Sequence, residues 1–176
     1  MKKLVLTAVI AALFGSALTA APRLGVTSAF DVNGKSSSVG FVVEEDMFNA
    51  SLFFNNLSKT NYDNNEDDTA KLTGFGLMAN YKHSLDNKNT LLGGISYTQS
   101  KDTKEIDDGD SLVKKSTSIN LNVGVQRQIN ERTLLNVYTP VVSLTTTTSD
   151  ASDAKDEKVT EILNGGVKVG FTFLIN

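Results

Sequence analysis

Thr117-Ser118-Ile119-Asn120-Leu121-Asn122-Val123-Gly124-Val125 is the stretch whose reading decides the fold. Ile119, Leu121, Val123 and Val125 fall on one side of a two-residue period. Ser118, Asn120, Asn122, Gly124 and Gln126 fall on the other. Successive side chains of a strand point to opposite faces, so this spacing predicts a strand with one apolar face. The closing segment repeats the pattern. There Val167, Val169, Phe171, Phe173 and Ile175 alternate with Gly166, Lys168, Gly170, Thr172 and Leu174. Working outward, the same period predicts eight strands at about 23–32, 35–44, 47–57, 70–83, 90–100, 115–128, 132–146 and 159–175.

Short and long connections alternate between these runs. Asn33-Gly34, Glu45-Asp46, Ser84 to Lys88 and Ile129 to Glu131 are short, whereas Lys59 to Thr69, Lys101 to Lys114 and Thr147 to Lys158 are long and polar. Asn-Gly supplies the two positive-φ positions of a tight hairpin. A two-residue turn there sets Leu24 opposite Val43, Val26 opposite Phe41 and Ser28 opposite Val39. It also brings the opposite charges of Arg23 and Glu44 together. A second such turn at Glu45-Asp46 sets Val43 opposite Phe48, Phe41 opposite Ala50 and Val39 opposite Leu52. In the seventh run the two faces are similar, and Pro140 removes a ladder donor, which predicts a bulge.

Residues 1–20 predict a cleaved export signal. Lys2 and Lys3 precede an apolar core, Leu4 to Phe14, and a small-residue tail ends at Ala20. A single domain, 21–176, follows, and removal of the two lysines takes the net charge from −3 to −5. Such a balance gives no basic footprint for nucleic acid. The mean hydropathy of −0.13 excludes a bundle of membrane-spanning helices. Without cysteine there is no disulfide, thiolate metal site or thiol nucleophile. The single histidine, His83, lies beside Ser84 at a short turn, where with Tyr81 it reads as an interfacial residue and not as a catalyst. No cofactor, metal site or catalytic residue is expected. Asp107-Asp108-Gly109-Asp110 has the composition of a calcium loop without its ligand spacing.

Periodicity does not say which face is wet. A soluble barrel places apolar residues inside, and a membrane barrel places them outside. The polar face here is mostly Ser, Thr, Asn, Gln and Gly, where a water-facing strand is normally dense in Lys and Glu. Thirteen of the twenty acidic residues lie instead in the three long connections. The expected lipid-facing set is therefore Leu24, Val26, Val39, Phe41, Val43, Phe48, Leu52, Phe75, Leu77, Ile119, Leu121, Val123, Val125, Val167, Val169, Phe171 and Phe173. By the same parity Arg23, Asp31, Glu44, Lys82 and Lys168 point inward as a lumen charge cluster. Arg23, Glu44 and Lys168 are expected to meet near one end of the barrel, where strands 1 and 8 become neighbours.

The strand count, the turn and loop alternation, the start Ala21-Pro22 and the closing Val169, Phe171, Phe173 and Ile175 carry a resemblance. The chain resembles the small outer-membrane β-barrels of Gram-negative bacteria, the OmpA/OmpX-like group. That resemblance implies an eight-stranded antiparallel up-and-down transmembrane β-barrel. It also implies residence in the cell outer membrane, contact with membrane lipid and lipopolysaccharide, and assembly by the outer-membrane insertion machinery. The group's last strand ends in an aromatic residue, whereas this chain ends Leu174-Ile175-Asn176. The function expected is a structural, envelope-integrity or surface-interaction role with acidic extracellular loops. The alternatives are a narrow or gated channel and a secreted soluble barrel that binds a small apolar ligand.

Overall fold

The computed structural model describes residues 22–32, 37–63, 66–105, 111–149, 157–162 and 166–175. The signal segment 1–20 and the acidic run 107–110 lie outside these residues. The strands are β1 (Arg23–Asp31), β2 (Ser37–Glu44), β3 (Phe48–Asp63), β4 (Glu66–Ser84), β5 (Asn89–Glu105), β6 (Ser111–Asn130), β7 (Thr133–Ser149), β8 (Glu157–Ile162) and β9 (Lys168–Leu174). Each of β1 to β7 pairs antiparallel with the next, and β9 joins β7 to β1. The sheet therefore closes on itself. β8 and β9 both pair with β7, β8 at Val142–Thr147 and β9 at Thr133–Tyr138, so together they fill the eighth position of the barrel.

β1 and β2 pair in the register expected from the sequence, with Arg23 opposite Glu44, Leu24 opposite Val43 and Val26 opposite Phe41, while the turn expected at Asn33-Gly34 itself lies outside the described residues. The second hairpin differs. Val43 pairs with Ala50, Phe41 with Leu52 and Val39 with Phe54. The turn is centred on Asp46 and Met47, closed by the Glu45 N–H donating to the Phe48 carbonyl at 2.8 Å. Moving a turn by one residue changes the partners by two. Parity survives, and no side chain changes face.

β3 to β7 run well into the three segments expected to be loops. Lys59 pairs with Ala70 and Asp63 with Glu66. Lys101 pairs with Lys115 and Glu105 with Ser111. Backbone pairing is indifferent to side-chain polarity, so Thr, Ser and Lys continue a ladder that the apolar alternation no longer marks. Much of the acidic charge thus rides on strand ends instead of free loops.

The bulge lies in β7. Leu121 pairs with Val142 but Asn122 pairs with Pro140, which leaves Val141 as the extra residue. It flips the face of the strand. Ser143 and Thr145 point inward on one side of it, and Pro140, Tyr138 and Asn136 on the other. A run that changes parity half-way shows similar composition on both faces, which is why its alternation is weak.

Which face is exposed is unambiguous. Leu121 is 48% exposed and its neighbour Asn122 4%, and Phe173 is 53% exposed against 2% for Thr172. Apolar side chains cover the outside and polar ones fill the middle. A soluble barrel that holds an apolar ligand needs the opposite arrangement, so that alternative falls. On β6 eleven residues, 116–126, separate the outward Lys115 from the outward Arg127. A tilted strand crosses a bilayer in about 9–11 residues.

Candidate functional site

The lumen is built from short polar side chains that strand alternation turns inward. Nearest the end that carries Arg23 and Ile175, Lys82 Nζ donates to Glu44 Oε1 at 2.5 Å and to the Glu45 carbonyl at 2.6 Å. Glu44 is only 1% exposed. Charge buried this deeply requires a partner, and β4, one strand beyond β2's neighbour β3, supplies it. Gln126 faces the same carboxyl group, and Arg23 adds attraction from farther away.

Above this pair, polar contacts link the strands. Asn80 donates to Asn49 at 2.8 Å. Gln126 donates to Asn136, Asn136 to Thr172 and Thr172 to Thr27, at 3.0, 3.0 and 3.2 Å, which ties β6, β7, β9 and β1 into one chain. Asn120 and Asn122 both donate to Ser96 Oγ. Higher still, Ser118 meets Thr145 and Ser116 meets Thr147. Phe53 and Tyr138 divide the interior. Both line a space of about 30 Å³ below and one of about 400 Å³ that opens among the strand ends above. The Phe53 ring lies against Gly76, whose missing side chain makes room for it.

The five charged residues expected to cluster do not gather. Glu44 and Lys82 form a pair, with Arg23 beside them. Lys168 is a strand length away, opposite Asp31 in the β1–β9 register, and lines the upper space. Closure pairs Gly25 with Leu174, which leaves Lys168 at the far end of β1 from Arg23. The expected meeting of Arg23, Glu44 and Lys168 is thereby corrected. Asp31 is buried, and its carboxylate lies against Gly166, where a side chain would collide with it.

Leu24, Val39, Phe41, Phe48, Leu52, Phe75, Ile119, Leu121, Val123, Val125, Val167, Phe171 and Phe173 are exposed on the outer face, and Val26, Val43, Leu77 and Val169 are half-buried among them. Phe48 and Tyr81 meet edge to face, their centroids 5.5 Å apart, close to the exposed His83. Sequence reasoning passed over Phe53 and Tyr138. The parity of Asn49 and Ser51 marks Phe53 as inward, but in Phe53-Phe54 the alternation loses contrast. Tyr138 was hidden by the bulge.

This closed sheet with its apolar exterior and polar, filled interior is the fold of the small eight-stranded outer-membrane β-barrels. Neisserial surface protein A shares it with a TM-score of 0.53 and 12% identity, over 86% of this chain and 93% of that one. Outer Membrane Protein W of E. coli shares it with a TM-score of 0.51 and 17% identity, over 90% of this chain and 100% of that one. A major outer membrane protein from Thermus thermophilus gives a TM-score of 0.51 and 11% identity, over 89% and 100% of the two chains. At these identities the likeness is one of fold. No protein-family model matches the chain, nor does any curated protein sequence.

Proposed function

We propose that this chain is an integral outer-membrane protein whose role is structural or adhesive, neither enzymatic nor that of a general pore. Residues 1–20 direct its export, the insertion machinery assembles it, and the acidic strand ends face outward from the cell. The observation that carries the reading is the inversion of burial: Leu121 and Phe173 outside, Asn122 and Thr172 inside. Hydrocarbon accepts such an exterior and water does not. The filled lumen supports the absence of free diffusion, since the Glu44–Lys82 pair and Phe53 stand in the path.

Two measurements test this. Detergent-extracted protein should run at anomalous gel mobility until boiled, and the protein should fractionate with the outer membrane. Recovery in the soluble periplasm without detergent would sink the location. In planar bilayers no discrete openings are expected, and regular steps would favour the narrow-channel alternative.

A further inference from the structure

We infer that the space of about 400 Å³ above Phe53 and Tyr138 is a binding cup for one uncharged sugar ring of hexose size. The inference rests on the membrane reading above and adds to it a site and a ligand class. The cup opens at the end of the barrel away from Arg23 and Ile175, and the packed polar lumen closes it below. Its floor is aromatic and fixed in place. The Phe53 ring occupies the room left by Gly76, and Tyr138 lies directly against Gly124, its cross-strand partner. Its wall is made of hydroxyl and amide groups. Asn120 and Asn122 already donate to Ser96, and Ser118 already meets Thr145. The side chains of Asn55, Thr98 and Ser100 and the hydroxyl of Tyr138, by contrast, make no hydrogen bond among the described residues. Polar groups in a lumen take partners, and here the partners must come from outside the protein.

Water answers only half of this lining. It satisfies the wall but leaves the Phe53 and Tyr138 rings hydrated, a cost that apolar contact removes. A sugar ring offers both surfaces at once. Its C–H faces stack on aromatic rings, and its hydroxyls, each donor and acceptor, match serine, threonine and asparagine. An acyl chain suits the floor but strips water from the wall without replacing its hydrogen bonds. Size selects further, because the space equals the volume of roughly a dozen waters, room for one ring and not for a chain of them. Charge selects last. Lys168 stands opposite Asp31 in the β1–β9 register, so its charge is matched. Glu161, opposite the inward Ser143, adds a carboxylate to the wall and repels acidic ligands.

The test uses the full chain folded into phosphatidylcholine nanodiscs, since sugar-headed detergents would compete for the cup. D-glucose, D-galactose and N-acetyl-D-glucosamine are the neutral probes, and D-glucuronate is the acidic one. Saturation-transfer NMR reads the bound sugar. At least one neutral probe should bind with a Kd of about 1 mM or tighter, the scale set by roughly a dozen non-hydrogen atoms. Tyr138→Leu should weaken it about fivefold by removing the platform. Thr98→Val/Ser100→Ala, which leaves the floor intact, should weaken it about tenfold. Ser51→Ala, beneath the floor, should leave it unchanged. D-glucuronate should bind more weakly than the best neutral probe, and Glu161→Gln should narrow that gap. Binding that survives both wall and floor variants overturns the assignment, as do an equal loss in Ser51→Ala and a preference for the acidic sugar. A gap that Glu161→Gln leaves unchanged overturns the role given to that carboxylate. Heat-modifiable mobility and insertion into phosphatidylcholine vesicles are scored in parallel. A chain that fails those refutes the membrane reading and the cup with it. A chain that passes them but binds none of the neutral sugars refutes the cup alone and leaves the space to water.

Discussion

Lys82→Met is the most informative single substitution in the barrel. Lys82 Nζ makes two charge-assisted contacts, to Glu44 Oε1 and to the Glu45 carbonyl. Glu44 is almost fully enclosed, and its second oxygen, Oε2, has no hydrogen-bond partner among the described residues. Methionine keeps the chain volume and removes the charge. Stripping one partner from a buried pair typically costs about 3–5 kcal/mol, because the remaining charge cannot regain water. Gln126 and the more distant Arg23 give the carboxyl group weaker support, so a cost within that range is expected. Arg23→Ala should cost about 1 kcal/mol or less, since Arg23 acts on Glu44 only at longer range. Adding Glu44→Gln to Lys82→Met should recover about 2 kcal/mol, because the orphaned charge is then gone. The assay is urea unfolding of protein folded into lipid vesicles, read by the gel mobility of unheated samples. The reasoning is refuted if Lys82→Met unfolds within about 1 kcal/mol of wild type, or if Arg23→Ala costs more than Lys82→Met.

Other perturbations separate the outer wall, the sheet and the turns. Leu121→Arg should destabilise the vesicle-inserted barrel by about 2–4 kcal/mol, the cost of a guanidinium near the bilayer midplane; an unchanged urea midpoint would argue against lipid at that face. Gly94→Ala should impair folding yield, because its methyl group would collide with the Ala79 carbonyl and the Asn80 side chain, whereas Gly93→Ala meets open space and should be silent. Asp86 accepts hydrogen bonds from the Lys88 and Asn89 backbone N–H groups and from the Asn89 amide, at 2.7, 2.8 and 2.7 Å. These contacts, that of the Asn89 side chain first, hold its carboxyl below the ordinary aspartate value. A depressed folded-state value means that the turn is reinforced above the unfolded pKa. The reinforcement fades as the pH falls through the lower, folded value. An NMR titration of Asp86 should therefore show a midpoint below that of an unstructured aspartate, and Asn89→Ala should move it upward.

Much of this was legible because a strand's side-chain period is an integer. Ile119 and Asn120 cannot share a face, so the sequence sorted inward from outward residues along every well-alternating strand. The Asn33-Gly34 signal gave the β1–β2 register to the residue. Legibility ended where the local signal ended. Glu45-Asp46-Met47 contains no glycine to mark the turn centre, and the β2–β3 register came out two residues away. The polar stretches after Leu57 and before Ser116 carry no apolar alternation, yet their backbones pair. At Pro140 one extra residue exchanged the faces of β7 and concealed Tyr138.

The sequence by itself determined the strand alternation, the first hairpin and the chemistry of each face, because these depend on neighbours one or two residues apart. Closure decided the rest. Only the joining of β9 to β1 sends Lys168 to Asp31, whereas the β2–β3 and β3–β4 registers bring Glu44 to Lys82, a residue 38 positions away. Partners across a lumen are set by where the ring shuts, and ring closure is a property of all eight strand positions together, which no short window of sequence contains.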